Sequence, residues 1–133
     1  MNGNTLKRGD LVMARFRPDN VGVVEAVYGE LCDVRRLGRE PMKGVPAKAM
    51  RPVPPDVTLY AVGEMLYGVV WTKGVVAGAE GVLCWLHQQP PAVIERSSIC
   101  ILDRRLQPCT AWEPIAGILA KEDKEDAPQR QAA

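Results

Sequence analysis

The chain has 133 residues, 47% of them hydrophobic and 25% charged, which suits one soluble domain or two small ones. Seventeen basic against sixteen acidic residues leave a formal charge of +1, and this excludes a nucleic-acid coat built on a strong basic excess. The balance is uneven along the chain: residues 1–55 carry ten Lys+Arg against six Asp+Glu, and residues 56–133 carry seven against ten.

Residues 1–8 read as a flexible leader. They include Lys7 and Arg8 and no apolar run, so a secretory signal is not expected. Gly9-Asp10-Leu11-Val12 opens a first strand, and Arg17-Pro18-Asp19-Asn20 reads as a turn. Residues 21–27 are rich in Val and form a second strand. Tyr28-Gly29-Glu30 is a tight hairpin turn, with Gly supplying the positive φ. In the third strand, 31–37, alternation sends Cys32 and Val34 to one face and Asp33 and Arg35 to the other. A short fourth strand, a helical step at 47–50 and a short fifth strand complete the first unit at residue 53.

Residues 54–62 are a Pro-stiffened linker and a lead-in strand. Beyond them the chain repeats itself. Residues 22–34 laid over residues 74–86, at an offset of 52, share six of thirteen positions: Gly22/Gly74, Val23/Val75, Val24/Val76, Gly29/Gly81, Leu31/Leu83 and Cys32/Cys84. Gly63-Glu64-Met65-Leu66 echoes Gly9-Asp10-Leu11-Val12 at an offset of 54. Self-similarity at a fixed spacing predicts a second copy of the same β unit over 63–113. Its turn falls at Thr72-Lys73, its hairpin within 74–86 and its fourth strand at 92–95, with residues 103–112 as a strap. Residues 114–133 read as a short helix and a disordered tail, because residues 121–130 hold no apolar side chain larger than Ala.

Five short strands in residues 9–53, with a helical step before the last, describe a small SH3-like barrel. Gly9-Asp10-Leu11-Val12, Gly22-Val23-Val24-Glu25-Ala26-Val27 and Val45-Pro46 resemble the Tudor/KOW group of such barrels. They are loosely similar to the RNA-polymerase-interacting domain of CarD-type bacterial regulators. The resemblance implies a module that binds protein or nucleic acid. The expected fold is therefore all-β, two SH3-like five-stranded barrel units in tandem with a disordered C-terminal tail.

The chemistry-bearing residues point away from catalysis. His87 is the only histidine, and it lies beside Gln-Gln-Pro-Pro with no third group indicated to orient it. Cys84, His87, Cys100 and Cys109 invite a zinc reading, but no Cys-x-x-Cys pair exists, and a strand would send Cys84 and His87 to opposite faces. No metal, no cofactor and no enzymatic activity are expected, and Cys32 and Cys84 read as core.

Two surfaces remain. Arg15, Arg17, Arg35, Arg36 and Arg39 form a basic rim suited to phosphate or carboxylate. Tyr67, Trp71 and Trp85 form an aromatic cluster, with Trp85 outward-facing because it replaces Asp33 in the repeat. The leading expectation is binding to a protein partner, with the aromatics as anchor and the rim as steering element. Nucleic-acid binding through the rim is the alternative, and an assembly role through self-contacts is a third. A cytoplasmic monomer or small homo-oligomer, without membrane contact, is expected.

Overall fold

The first strand, β1 (Leu11–Ala14), begins the antiparallel sheet that organises the N-terminal half of the computed structural model, which describes residues 6–115. It is followed by β2 (Arg17–Tyr28), β3 (Leu31–Arg35), β4 (Met42–Pro46), a 3-10 turn (Ala47–Ala49) and β5 (Met50–Pro52). The strand order is β4-β3-β2-β1-β5. The second sheet contains β6 (Leu59–Leu66), β7 (Val69–Ala77), β8 (Ser97–Leu102) and β9 (Glu113–Pro114), ordered β7-β6-β8-β9. Two helices, α1 (Gly78–His87) and α2 (Pro91–Glu95), lie between β7 and β8 in the chain. The protein is mostly β, in two antiparallel sheets, and neither sheet closes on itself.

Alternation along the strands sorts the apolar residues into three layers. Val12, Val24, Cys32, Val34 and Met50 fill the outer face of the first sheet. Met13, Val21 and Val53 point the other way and meet Leu59, Ala61, Val75 and Cys100 of the second sheet. The far face of that sheet, with Val62 and Val76, is covered by Trp85, Leu86 and Ile115. Burial raises the pKa of the Cys32 and Cys100 thiols, which keeps them protonated as core residues.

The Gly29 turn, β3, β4, the 3-10 turn and β5 stand where alternation and turn chemistry place them. Four other expectations are corrected. Leu6 of the leader is buried in the first sheet's core, and Gly9 donates its N–H to the Val24 carbonyl at 2.8 Å. The segment 17–20 is not a turn but the start of β2: the chain reverses at Arg15-Phe16, with Phe16 at φ 65°. Pro18, Asp19 and Asn20 have no register partner on β1, so Pro18 removes no ladder hydrogen bond there.

The third correction concerns the hairpin of the second half. It turns at Tyr67-Gly68, both at positive φ, and β7 runs straight through Thr72-Lys73. Lys73 is the extra residue where the β6–β7 register shifts between Val62↔Gly74 and Gly63↔Thr72. The echo of residues 9–12 in 63–66 is therefore not a structural one: Val12 pairs with Gly22, whereas Val62 pairs with Gly74.

The fourth correction is the repeat. Its first half is real, since Val23-Val24 and Val75-Val76 both lie on strands pairing with the strand before them. Its second half is a helix, and so is 91–95, where a strand was expected. Val82, Trp85 and Leu86 have helical rather than strand spacing and turn one face to the core. Pro91 sits at the first turn of α2, where its missing N–H costs nothing. Gly29 and Gly81 match for different reasons. Gly29 supplies a φ of 65°, while Gly81 lets α1 approach β2 so closely that a Cβ would stand 2.7 Å from the Pro18 carbonyl oxygen. The short helix expected from Pro114 and the tail fall, past Ile115, outside the described residues.

Candidate functional site

The three expected aromatics separate. Trp85 is only 6% exposed and packs among Val62, Val76 and Ile115, so the outward-facing assignment is corrected: a helix turns it inward where the strand register would have turned it out. Tyr67 and Trp71 stay at the surface, 98% and 54% exposed. They sit on the β6–β7 hairpin, whose tip also exposes Met65 and Val69. Trp71 Nε1 donates to the Leu66 carbonyl at 3.3 Å, which holds the indole across the hairpin. At the base of the hairpin Arg96 Nη2 donates to Glu64 Oε2 at 2.8 Å. The sequence signal for this finger is Tyr67-Gly68 between apolar runs, a two-residue turn displaced from the expected one.

The arginines do not form one free rim. Arg17 grips Asp19 with two 3.0 Å hydrogen bonds. Arg36 donates to the Glu40 carbonyl and to Asn20 Oδ1, and Arg39 donates to the Asp19 carbonyl. Arg35 lies 3.9 Å from Glu25, and Arg15 Nε donates to the Lys48 carbonyl at 2.6 Å. Arg17, Arg36 and Arg39 thus gather where the first sheet meets the second half. There Gln88, just past α1, donates to Asp19 Oδ2 at 2.6 Å. Gly38 packs its Cα against the Thr72 carbonyl, one residue from Trp71.

Asp19 is 2% exposed and is the centre of this seam. Burial pushes its carboxyl pKa up, but the hydrogen bonds from Arg17 and Gln88 and the Arg17 charge outweigh this and hold it below the ordinary value. A depressed folded-state pKa contributes stability that is complete above the unfolded value of about 4 and is lost as pH falls through the folded one. Asp19→Ala is expected to cost roughly 2 kcal/mol at pH 7, since Arg17 is exposed enough to rehydrate. The difference from wild type should shrink below about pH 4. Urea unfolding at pH 7 and pH 3 measures both, and an undiminished difference at pH 3 would contradict the ionic account.

Cys84 and His87 lie on one face of α1 and line an open groove of about 910 Å³, together with Arg15, Phe16, Arg51 and Leu83. Cys100 is in the inter-sheet core and Cys109 is exposed, so the four candidate metal ligands are not brought together. Among the described residues no three His, Cys, Asp or Glu side chains gather as a metal site. None of the helices there is long and apolar enough to cross a membrane. No family model matches the chain, and no curated protein or solved structure matches it either.

Proposed function

We propose that the chain is a non-enzymatic module that binds a protein partner through the β6–β7 hairpin. The observation that carries this reading is the exposure of Tyr67 and Trp71 on one finger, flanked by Met65 and Val69. Exposed aromatics clustered with aliphatic residues are the usual anchors of protein interfaces. The Trp71–Leu66 hydrogen bond lowers the ordering cost of docking into an apolar cleft. Nucleic-acid binding has less support, because Arg17, Arg36 and Arg39 are engaged within the fold.

The strand order of the first sheet, with a 3-10 turn before its last strand, supports reading residues 9–53 as an SH3-like unit of the Tudor/KOW type. In this reading the first unit is the scaffold, and the second half, departing from it, presents the finger.

The test is Tyr67→Ser with Trp71→Ser, compared with wild type in affinity purification and then in titration against a captured protein. Affinity is expected to fall roughly 30-fold, with little change in thermal midpoint. Retention of the same partner at the same affinity would overturn the proposal.

A further inference from the structure

The groove beside α1 is a second surface, separate from the aromatic finger: β7 carries the finger at its first residues and meets the groove at its last, Ala77. Its floor is the layer between the two sheets. Met13 and Ala77 are buried in that core and also line the groove, and Val57 packs against them. The rim is charged. Met13 pairs with Arg51 across β1 and β5, and Arg15 follows two residues on. Cross-strand partners and residues two apart share a face, so both arginines lie on the side that buries Met13. Among the described residues Arg15 is held by Nε alone, through its bond to the Lys48 carbonyl. The facing wall is α1, where Glu80, Leu83, Cys84 and His87 fall at i, i+3, i+4 and i+7. Glu80 is the only carboxylate in the lining, so two guanidinium groups leave one positive charge over.

Phe16 adds an independent observation. It is the second residue of the turn that joins β1 to β2, it has a φ of 65°, and it is 93% exposed. A bulky side chain is strained there, where Gly or Asn is the ordinary choice. Strain kept for a side chain that buries almost nothing in its own fold points to a use outside the fold, and Phe16 lines this groove. We infer that the groove binds a small amphipathic monocarboxylate, an aliphatic body ending in one carboxylate. The body lies on Met13, Val57 and Leu83 with Phe16 as a lip over it. The carboxylate accepts hydrogen bonds from Arg15 and Arg51, whose planar forks match it. The volume of about 910 Å³ falls within the range of small-ligand sites, which are apolar with a few convergent polar groups.

Isothermal titration calorimetry of the full chain tests this, with dodecanoate as the probe and dodecylammonium, the same tail with the opposite charge, as its control. One dodecanoate should bind per chain with a Kd on the order of 10–100 μM, and dodecylammonium should bind at least about tenfold more weakly. Arg51→Met should weaken dodecanoate roughly tenfold with an unchanged circular dichroism spectrum. Phe16→Asn should weaken it roughly fivefold while the thermal midpoint stays or rises, because Asn tolerates that backbone. A purely structural Phe16 would instead lower the midpoint and leave the affinity alone, which would overturn the inference. So would no saturable binding, equal affinity for the two probes, several probes per chain, or full affinity in Arg51→Met. A dodecanoate affinity that falls as protein concentration rises would assign the groove to a second copy, and tighter binding of an alternating Leu-Glu hexapeptide would assign it to a protein segment; either overturns it.

Discussion

Trp85→Ser should destabilise the protein by roughly 3–5 kcal/mol, the range for deleting a large aromatic from a packed core. Trp85 stands 6% exposed among Val62, Val76, Leu86 and Ile115, with Tyr60, Val93 and Ile94 packed around them. Serine leaves a cavity there and adds a hydroxyl that needs a partner. For a chain of this size the thermal midpoint should drop by about 10–20 °C. A loss under about 1 kcal/mol would mean that the indole faces solvent, as the repeat-based reading required.

Gly38→Ala should cost roughly 3 kcal/mol from two separate causes. Gly38 has a φ of 75°, and a left-handed alanine carries about 1–2 kcal/mol of strain. Its Cβ would also stand 2.5 Å from the Thr72 carbonyl oxygen, a backbone atom that cannot move aside cheaply. Overpacking of that kind adds about 1–3 kcal/mol. Gly29→Ala is the internal control. Gly29 has a φ of 65°, but a Cβ there meets nothing within 4 Å, so only the strain remains. Urea midpoints of the two variants separate the causes. Equal losses would show that the loop between β3 and β4 does not press on β7.

The first prediction turns on how the second sheet is covered and the second on how the halves of the chain meet, and in both places local patterning and tertiary structure part. The first sheet is legible because each clue in it is local. Cys32 and Val34 alternate with Asp33 and Arg35, and Gly29 marks a turn between Val-rich runs. A strand with one polar and one apolar face has a single sensible orientation. In 82–86 that clue is missing. Val82-Leu83-Cys84-Trp85-Leu86 is apolar throughout, so alternation cannot choose a face and similarity to the first copy carried the assignment. Such short apolar runs are ambiguous between strand and helix, and burial decides.

The candidate site divides in the same way. Tyr67, Trp71 and the arginines were identifiable as residue types able to bind. What they do was not, because exposure and pairing are properties of the assembled chain. Trp85 went to the core once 78–87 became a helix. Arg17 and Arg39 became fastenings once Asp19 of β2 was buried against Gln88, 69 positions away, and Arg36 did so by bonding Asn20 and the Glu40 carbonyl. The groove escaped notice because Arg15, Arg51 and Leu83 lie far apart in the chain.

By itself the sequence determined the mostly β character, the strands of the first sheet and the Gly29 turn, because short-range periodicity and φ preference act within a few residues. Only the tertiary structure decided that the second copy breaks off after Val76 into a helix. The reason is physical: the outer face of the second sheet needs an apolar cover, and Val82, Trp85 and Leu86 supply it at helical spacing. A third strand there would have left half of those side chains in water.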